Sequence, residues 1–194
     1  MPNLVDNNTQ IPAARVKMND DVTNYVSRPW YRWFFNTYEA VEAGRRYGSF
    51  YSTATQTAAL ANTAYGMTFN TTASNYGVSV GTPISRVYVN NTATYTAQFS
   101  AQLSNTDSSA RNIYAWARVN GTTNSTAVKA QVAANSTAAA ILTGDFVLNL
   151  TTGDYFEILW STDNTGVRLS AIVAASPVPA IPSVSLTVTS SVGA

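Results

Sequence analysis

Few side chains in this chain could run acid–base or nucleophilic chemistry. It has no histidine and no cysteine. That removes Ser-His-Asp and Cys-His constellations, thiolate chemistry, disulfides and the commonest metal ligand. A Ser/Lys mechanism would have to use Lys17 or Lys129, and neither sits in a motif. A carboxylate pair could in principle hydrolyse a glycoside. The candidates beyond residue 46 are Asp107, Asp145, Asp154, Glu157 and Asp163. Asp154 follows Gly153, and Asp163 opens Asp-Asn-Thr-Gly; both are expected to be turn residues capping their own backbone. Glu157 alternates with Tyr155 and Leu159 and is expected at an exposed position or on the rim of an oligomer. Asp163-Asn164 could lend oxygens to Ca²⁺, but calcium needs several clustered ligands. We assign no catalytic residue, no metal site and no cofactor, and the sequence reads as that of a non-enzyme.

The elements that carry these residues fall into two unlike parts. Residues 1–46 hold six Lys/Arg and five Asp/Glu, whereas residues 47–194 hold only five of each. A body so poor in charge must draw its solubility from Thr, Ser, Asn and Gln, a surface common on extracellular and virion β-proteins. Net charge is +1, which implies neither nucleic acid nor an anionic membrane as partner. No basic region followed by an apolar run opens the chain, so no signal peptide is expected. The Asn-x-Ser/Thr triplets at Asn70, Asn90, Asn120, Asn124, Asn135 and Asn149 are then chance products of an Asn/Thr-rich composition. No apolar stretch approaches the length of a membrane helix.

Residues 1–26 show little periodicity, and Ile11–Val16 reads as an extended arm lying on a surface. A helix is expected over 28–43. Ser27 suits the N-cap and Pro29 the first turn. Trp30, Trp33, Phe34, Thr37, Tyr38 and Val41 share one helical face, and Tyr31 and Phe35 widen it. Gly44 is expected at C′, with Arg45 and Arg46 at the negative end of the dipole. Such a face cannot stay in water. It packs on its own β-domain, pairs with copies of itself, or enters a groove on another protein through i/i+3/i+4/i+7 anchors. An interfacial membrane helix is disfavoured by the few basic residues on its polar face.

From Tyr47 the period becomes two. Tyr95, Ala97, Phe99, Ala101 and Leu103 point one way; Thr96, Gln98, Ser100 and Gln102 point the other, as in a half-exposed antiparallel strand. Ile113–Val119 is apolar on both faces, and Asn120-Gly121 is a strong hairpin signal. Further strands are expected near 146–150, at Tyr155–Trp160, at Val167–Val173 and from Val184, the last of them closing the sheet. Residues 121–140 are Ala/Thr/Ser/Asn-rich and read as a short strand with long loops. Pro177, Pro179 and Pro182 mark a surface crossing. About eight to ten strands with regular turns make a mainly β, antiparallel jelly-roll sandwich, preceded by the arm and one amphipathic aromatic helix. The expected division is 1–46 for the anchor and 47–194 for the β-domain.

The strand motifs resemble the trimeric jelly roll of the complement globular-head and tumour-necrosis-factor-like superfamily over roughly 48–175. They are Thr94–Ser100, without that family's glycine; Trp116-Ala117-Arg118-Val119-Asn120-Gly121; and Leu150-Thr151-Thr152-Gly153-Asp154-Tyr155-Phe156-Glu157-Ile158. The N-terminal Ile-Pro-Ala-x-Arg-Val and Ser-Arg-Pro-Trp-Tyr-Arg-Trp-Phe-Phe segments resemble leaders of structural proteins from tailed bacteriophages. Together these resemblances imply a homotrimeric virion appendage, short because it has no collagen-like or β-helical shaft. A short tail fibre or tail-attached appendage is the first expectation. Its docking residues are Arg28, Trp30, Tyr31, Arg32, Trp33, Phe34, Phe35 and Tyr38, and its partners are other virion proteins of tail, neck or capsid. A capsid decoration or head-fibre protein is the alternative of the same build. Tyr95, Phe99, Tyr114, Trp116, Phe156 and Trp160 are expected in the core or the trimer interface. Tyr114, Trp116, Phe156 and Trp160 also admit a sugar-stacking role, as in a free carbohydrate-binding module or a contact with a host surface glycan.

Overall fold

A computed structural model describes residues 11–13, 15–43 and 46–191. The expected arm folds back on itself. Asn19 and Val26 form an antiparallel bridge. The Asp20 and Ser27 amides donate to the Tyr25 and Met18 carbonyls at 2.8 and 2.6 Å. Asp20 builds the turn, its Oδ1 accepting from the Val22 and Thr23 amides at 2.9 Å. Asn24 lies at φ 57°, a region asparagine tolerates better than most side chains. Local Asx-turn chemistry, invisible to a search for apolar period, thus makes a hairpin of residues 19–26, beyond the Ile11–Val16 stretch read as extended.

Helix α1 spans Arg28–Ala43, as cap and period predict. Ser27 holds its start differently from a simple N-cap, donating its hydroxyl to the Lys17 carbonyl at 2.7 Å. The Trp30 indole adds a bond to the Val16 carbonyl at 2.9 Å, so hairpin and helix are one unit. Residues 1–10, Gly44 and Arg45, which carry part of the expected arm and the helix end, lie outside the described residues.

The strands are β1 (Tyr47–Ser52), β2 (Gln56–Thr57), β3 (Tyr65–Gly66), β4 (Thr71–Tyr76), β5 (Val78–Val80) and β6 (Val87–Val89). Longer ones follow: β7 (Ala93–Asn105), β8 (Arg111–Val119), β9 (Thr122–Val132), β10 (Ser136–Leu150) and β11 (Tyr155–Thr162). The short β12 (Val167–Leu169) and β13 (Val184–Ser191) complete the set. One sheet runs β4-β1-β13-β7-β10, with β12 and β2 continuing beside β7. The other runs β5-β6-β11-β8-β9, with β3 also on β11. All of these ladders are antiparallel, and four of them nest: β1 with β13, β6 with β11, β7 with β10, β8 with β9. First pairs with last and the innermost pair is a hairpin. That is a long ribbon rolled over itself, which is the jelly roll.

Alternation decides which side chains meet. Tyr95, Ala97, Phe99, Ala101 and Leu103 of β7 face inward with Leu142, Phe146, Leu148 and Leu150 of β10. Ile113, Ala115 and Ala117 of β8 and Phe156, Ile158 and Trp160 of β11 face them from the other sheet. The β8–β9 turn is the expected two-residue hairpin, with Val119 paired to Thr122 and positive φ at Asn120 (46°) and Gly121 (83°).

Two readings need correcting. Residues 121–140 contain all of β9 and the start of β10. Their small, polar side chains give little contrast, because β9 is an edge strand and need not be apolar on both faces. After Leu169 the chain leaves the sheet, so the strand expected to reach Val173 stops short. Ile172 and Ile181 exchange backbone hydrogen bonds at 2.9 Å, and Ala175 and Val178 close the tip. The Pro-marked crossing is a small ribbon, and β13 then enters between β7 and β1 rather than at an edge.

Candidate functional site

Two surfaces are distinctive. The first is α1. At i/i+3/i+4 spacing its rings find one another: Trp30 and Trp33 centroids are 5.9 Å apart, Trp33 and Phe34 5.1 Å, and Trp30 and Phe34 6.0 Å. On the other flank Tyr31 stacks on Phe35 at 6.5 Å. None of these rings enters the sandwich. Tyr31 is 63% exposed, Tyr38 61%, Phe34 45% and Phe35 41%, and Trp30 and Trp33 are half-buried. Arg28 and Arg32 are exposed beside them. In the hairpin before α1, Val22 and Tyr25 are exposed as well. Of the three outcomes expected for this face, packing on its own β-domain is not the one adopted by the single chain.

The second surface is the outer face of the sheet containing β11. Period two sends Tyr155, Glu157 and Leu159 outward. Arg118 stands opposite Glu157, Trp116 opposite Leu159, and Tyr114 opposite Ser161. Tyr88 of β6 stands opposite Tyr155, and Lys129 of β9 opposite Tyr114. Glu157 is not exposed, as its alternation implied, but only 3% accessible. Its Oε2 accepts from Arg118 Nη2 at 2.6 Å and Nε at 3.0 Å. Its Oε1 accepts from the Ser85 hydroxyl at 2.8 Å and lies 4.0 Å from Arg86 Nε. The absence of a side chain at Gly66 admits this arrangement, since a Cβ there would stand 2.8 Å from Ser85 Cβ. Arg86 lies 4.4 Å above the Tyr155 ring, and the Lys129 ammonium 5.6 Å from the centre of Tyr114. Ser85, Arg86 and Arg118 were not singled out from the sequence. The available signal was a single acid in Tyr155–Trp160 and a single base in Ile113–Val119, each in an otherwise uncharged stretch that is apolar on both faces, which calls for a paired charge.

The other carboxylates serve loops. Asp154 accepts from the Thr151 amide at 2.7 Å, the Thr151 hydroxyl at 2.8 Å and the Asn120 amide group at 2.8 Å. The Thr151 amide foremost, then Asn120, holds its carboxyl below the usual range. Asp107 is likewise lowered, foremost by the Ser109 amide, with help from Arg111 and Asn164. Asp163 departs from the expected self-capping. Its oxygens accept from the Asn112 amide at 3.1 Å and from Asn112 Nδ2 at 2.8 Å, which ties the loop to β8. Asp145 points from the outer face of the other sheet. Among the described residues, no three His, Cys, Asp or Glu side chains gather where they could hold a metal ion.

These shifts fix a pH dependence. A depressed carboxyl lends stability that is full above about pH 4, the ordinary value, and is lost as pH falls through the lowered folded value. The melting temperature should hold from neutrality to about pH 5 and fall below about pH 4. Asp154→Asn should flatten part of that fall. An acid limb unchanged in this variant would remove Asp154 as a contributor.

The six aromatic residues expected in core or interface divide. Tyr95, Phe99, Phe156 and Trp160 lie in the core, whereas Tyr114 is 37% exposed and Trp116 half-buried on the outer face. The four rings of the sugar-stacking reading therefore do not share a surface, because alternation puts two on each side of the sheet.

No family model and no curated protein sequence matches this chain. Among solved structures, mouse APRIL at pH 8.5 aligns with a TM-score of 0.47 and 11% identity, covering 74% of this chain and 98% of that one. The globular domain of zebrafish complement 1qA aligns at 0.41 and 14%, covering 74% and 95%. The jelly roll itself is established by the nested ladders of this chain.

Proposed function

We propose that this chain is a non-enzymatic structural protein of a tailed-phage particle, anchored by residues 1–46 and displaying residues 47–194. The observation that carries the reading is the open aromatic surface of α1, since a helix with this many exposed rings is stable only when something covers it. Trp30, Tyr31, Trp33, Phe34, Phe35 and Tyr38 are the anchors in this reading, with Arg28 and Arg32 orienting them. The resemblance of the leader to those of phage structural proteins supports the particle as the partner. The resemblance of the strand motifs to trimeric jelly rolls supports a homotrimer. Within this reading a short tail fibre or tail-attached appendage comes first.

The test is to locate the chain in a cryo-electron microscopy map of purified particles. We expect density at tail or neck, with α1 covered by a neighbouring protein. Density over the head would make it a decoration protein of the same build. Absence from particles would end the virion reading.

A further inference from the structure

We propose that the outer face of the sheet β5-β6-β11-β8-β9 binds an acidic polysaccharide, one with carboxylates along its chain. Residues 47–194 carry equal numbers of acids and bases, yet three of the five bases gather on one face. Arg86, Arg118 and Lys129 all emerge on this face. Glu157 is the one acid among them, buried and already engaged by Arg118. Asp145 lies on the other sheet. Asp107, Asp154 and Asp163 are spent on loop hydrogen bonds at the ends of the sandwich. A nearly neutral domain thus presents one cationic face, the condition for charge-complementary binding.

Glu157 also prepares the face. It engages only Nε and Nη2 of Arg118, and a guanidinium has five donors. The side chains of Arg118 and Arg86 remain 33% and 35% exposed. They are held in place while still open to a ligand, which lowers the ordering cost of binding. From Tyr114 to Arg118 the face runs about 13 Å along β8, and from β9 to β6 about 14 Å across. That suits a short oligosaccharide.

The chemistry favours sugar over single-stranded nucleic acid. Nucleic-acid platforms need free ring faces for bases to stack on. Here cations lie over two of the rings, Arg86 over Tyr155 and Lys129 over Tyr114. Tyrosine hydroxyls, guanidinium nitrogens and an ammonium remain, and these donate to carboxylates and hydroxyls. The site is independent of α1 and of any particle, so its test and that of the anchoring reading fail separately.

The test uses the purified full chain with polygalacturonate, neutral dextran and a single-stranded oligonucleotide, titrated at several salt concentrations. Binding to polygalacturonate that weakens with salt, with none to dextran, is expected. Lys129→Gln and Tyr114→Ala, both at exposed positions, should each weaken it about fivefold, the scale of one screened contact. Arg168→Gln removes the same charge from an exposed position on β12 of the other sheet and should change nothing. No binding at low salt would overturn the proposal. So would equal retention by dextran, tighter binding of the oligonucleotide, or an equal loss in Arg168→Gln.

Discussion

Replacing Trp33 and Phe34 together by alanine should leave a folded β-domain that no longer joins the particle. Neither ring belongs to the core of the sandwich, and alanine is the best helix former, so the unfolding of the domain should not move. The loss falls on docking. Each ring is worth roughly 1.5–3 kcal/mol when buried, so removing both lowers affinity on the order of 10²- to 10⁴-fold. Counting the variant on purified particles against wild type reads this directly. Normal incorporation would end the anchoring role. A lower melting temperature would instead make α1 part of the domain's own stability.

The second large effect lies at Glu157. Arg118→Ala should destabilise the domain by about 3 kcal/mol, because it strands a buried carboxylate. Ser85 would remain at 2.8 Å and Arg86 at 4.0 Å, too little to replace a guanidinium that gives Oε2 two hydrogen bonds. The partial exposure of Arg118 places the cost at the lower end for buried pairs. Glu157→Leu with Arg118→Met should recover most of the loss, since the pair's net worth over apolar substitutes is small. Urea unfolding of Glu157→Leu, Arg118→Met and the double variant measures the coupling, with an unchanged denaturant slope as the check on compactness. Simple addition of the two single losses would mean that the ion pair does not act as a unit.

What could be read from sequence depended on whether a local rule was stronger than its surroundings. The helix was legible because the apolar period holds over Arg28–Ala43, although Ser27 spends its hydroxyl on the Lys17 carbonyl. The β8–β9 hairpin was legible because Asn-Gly accepts two positive φ angles that few other pairs tolerate. The inward residues of β7 followed from clean alternation. Strands β9 and β10 were blurred because edge positions filled with Ala, Thr and Ser leave little contrast. The hairpin before α1 was missed because one aspartate side chain directs it. The burial of Glu157 was hidden for another reason. Alternation gives the face on which a residue lies, but segments distant in sequence, here β3 with Gly66 and the loop with Ser85, decide whether that face is covered. The division of Tyr114 and Trp116 from Phe156 and Trp160 follows from the same alternation, once the strands are set in register.

The place of β1 has a mechanical consequence. Only residues 44–46 separate it from α1, and it is an interior strand. It pairs with β13 from Tyr47↔Thr189 to Ser52↔Val184 on one side and with β4 on the other. Antiparallel hydrogen bonds lie across the strand direction. A pull on the helix along β1 would therefore load both ladders broadside and at once, in shear, whereas a strand at a sheet edge could be peeled one bond at a time. In the proposed docked state, tension would free the rings of α1 before β1 slid out, so the domain would come away whole instead of unravelling.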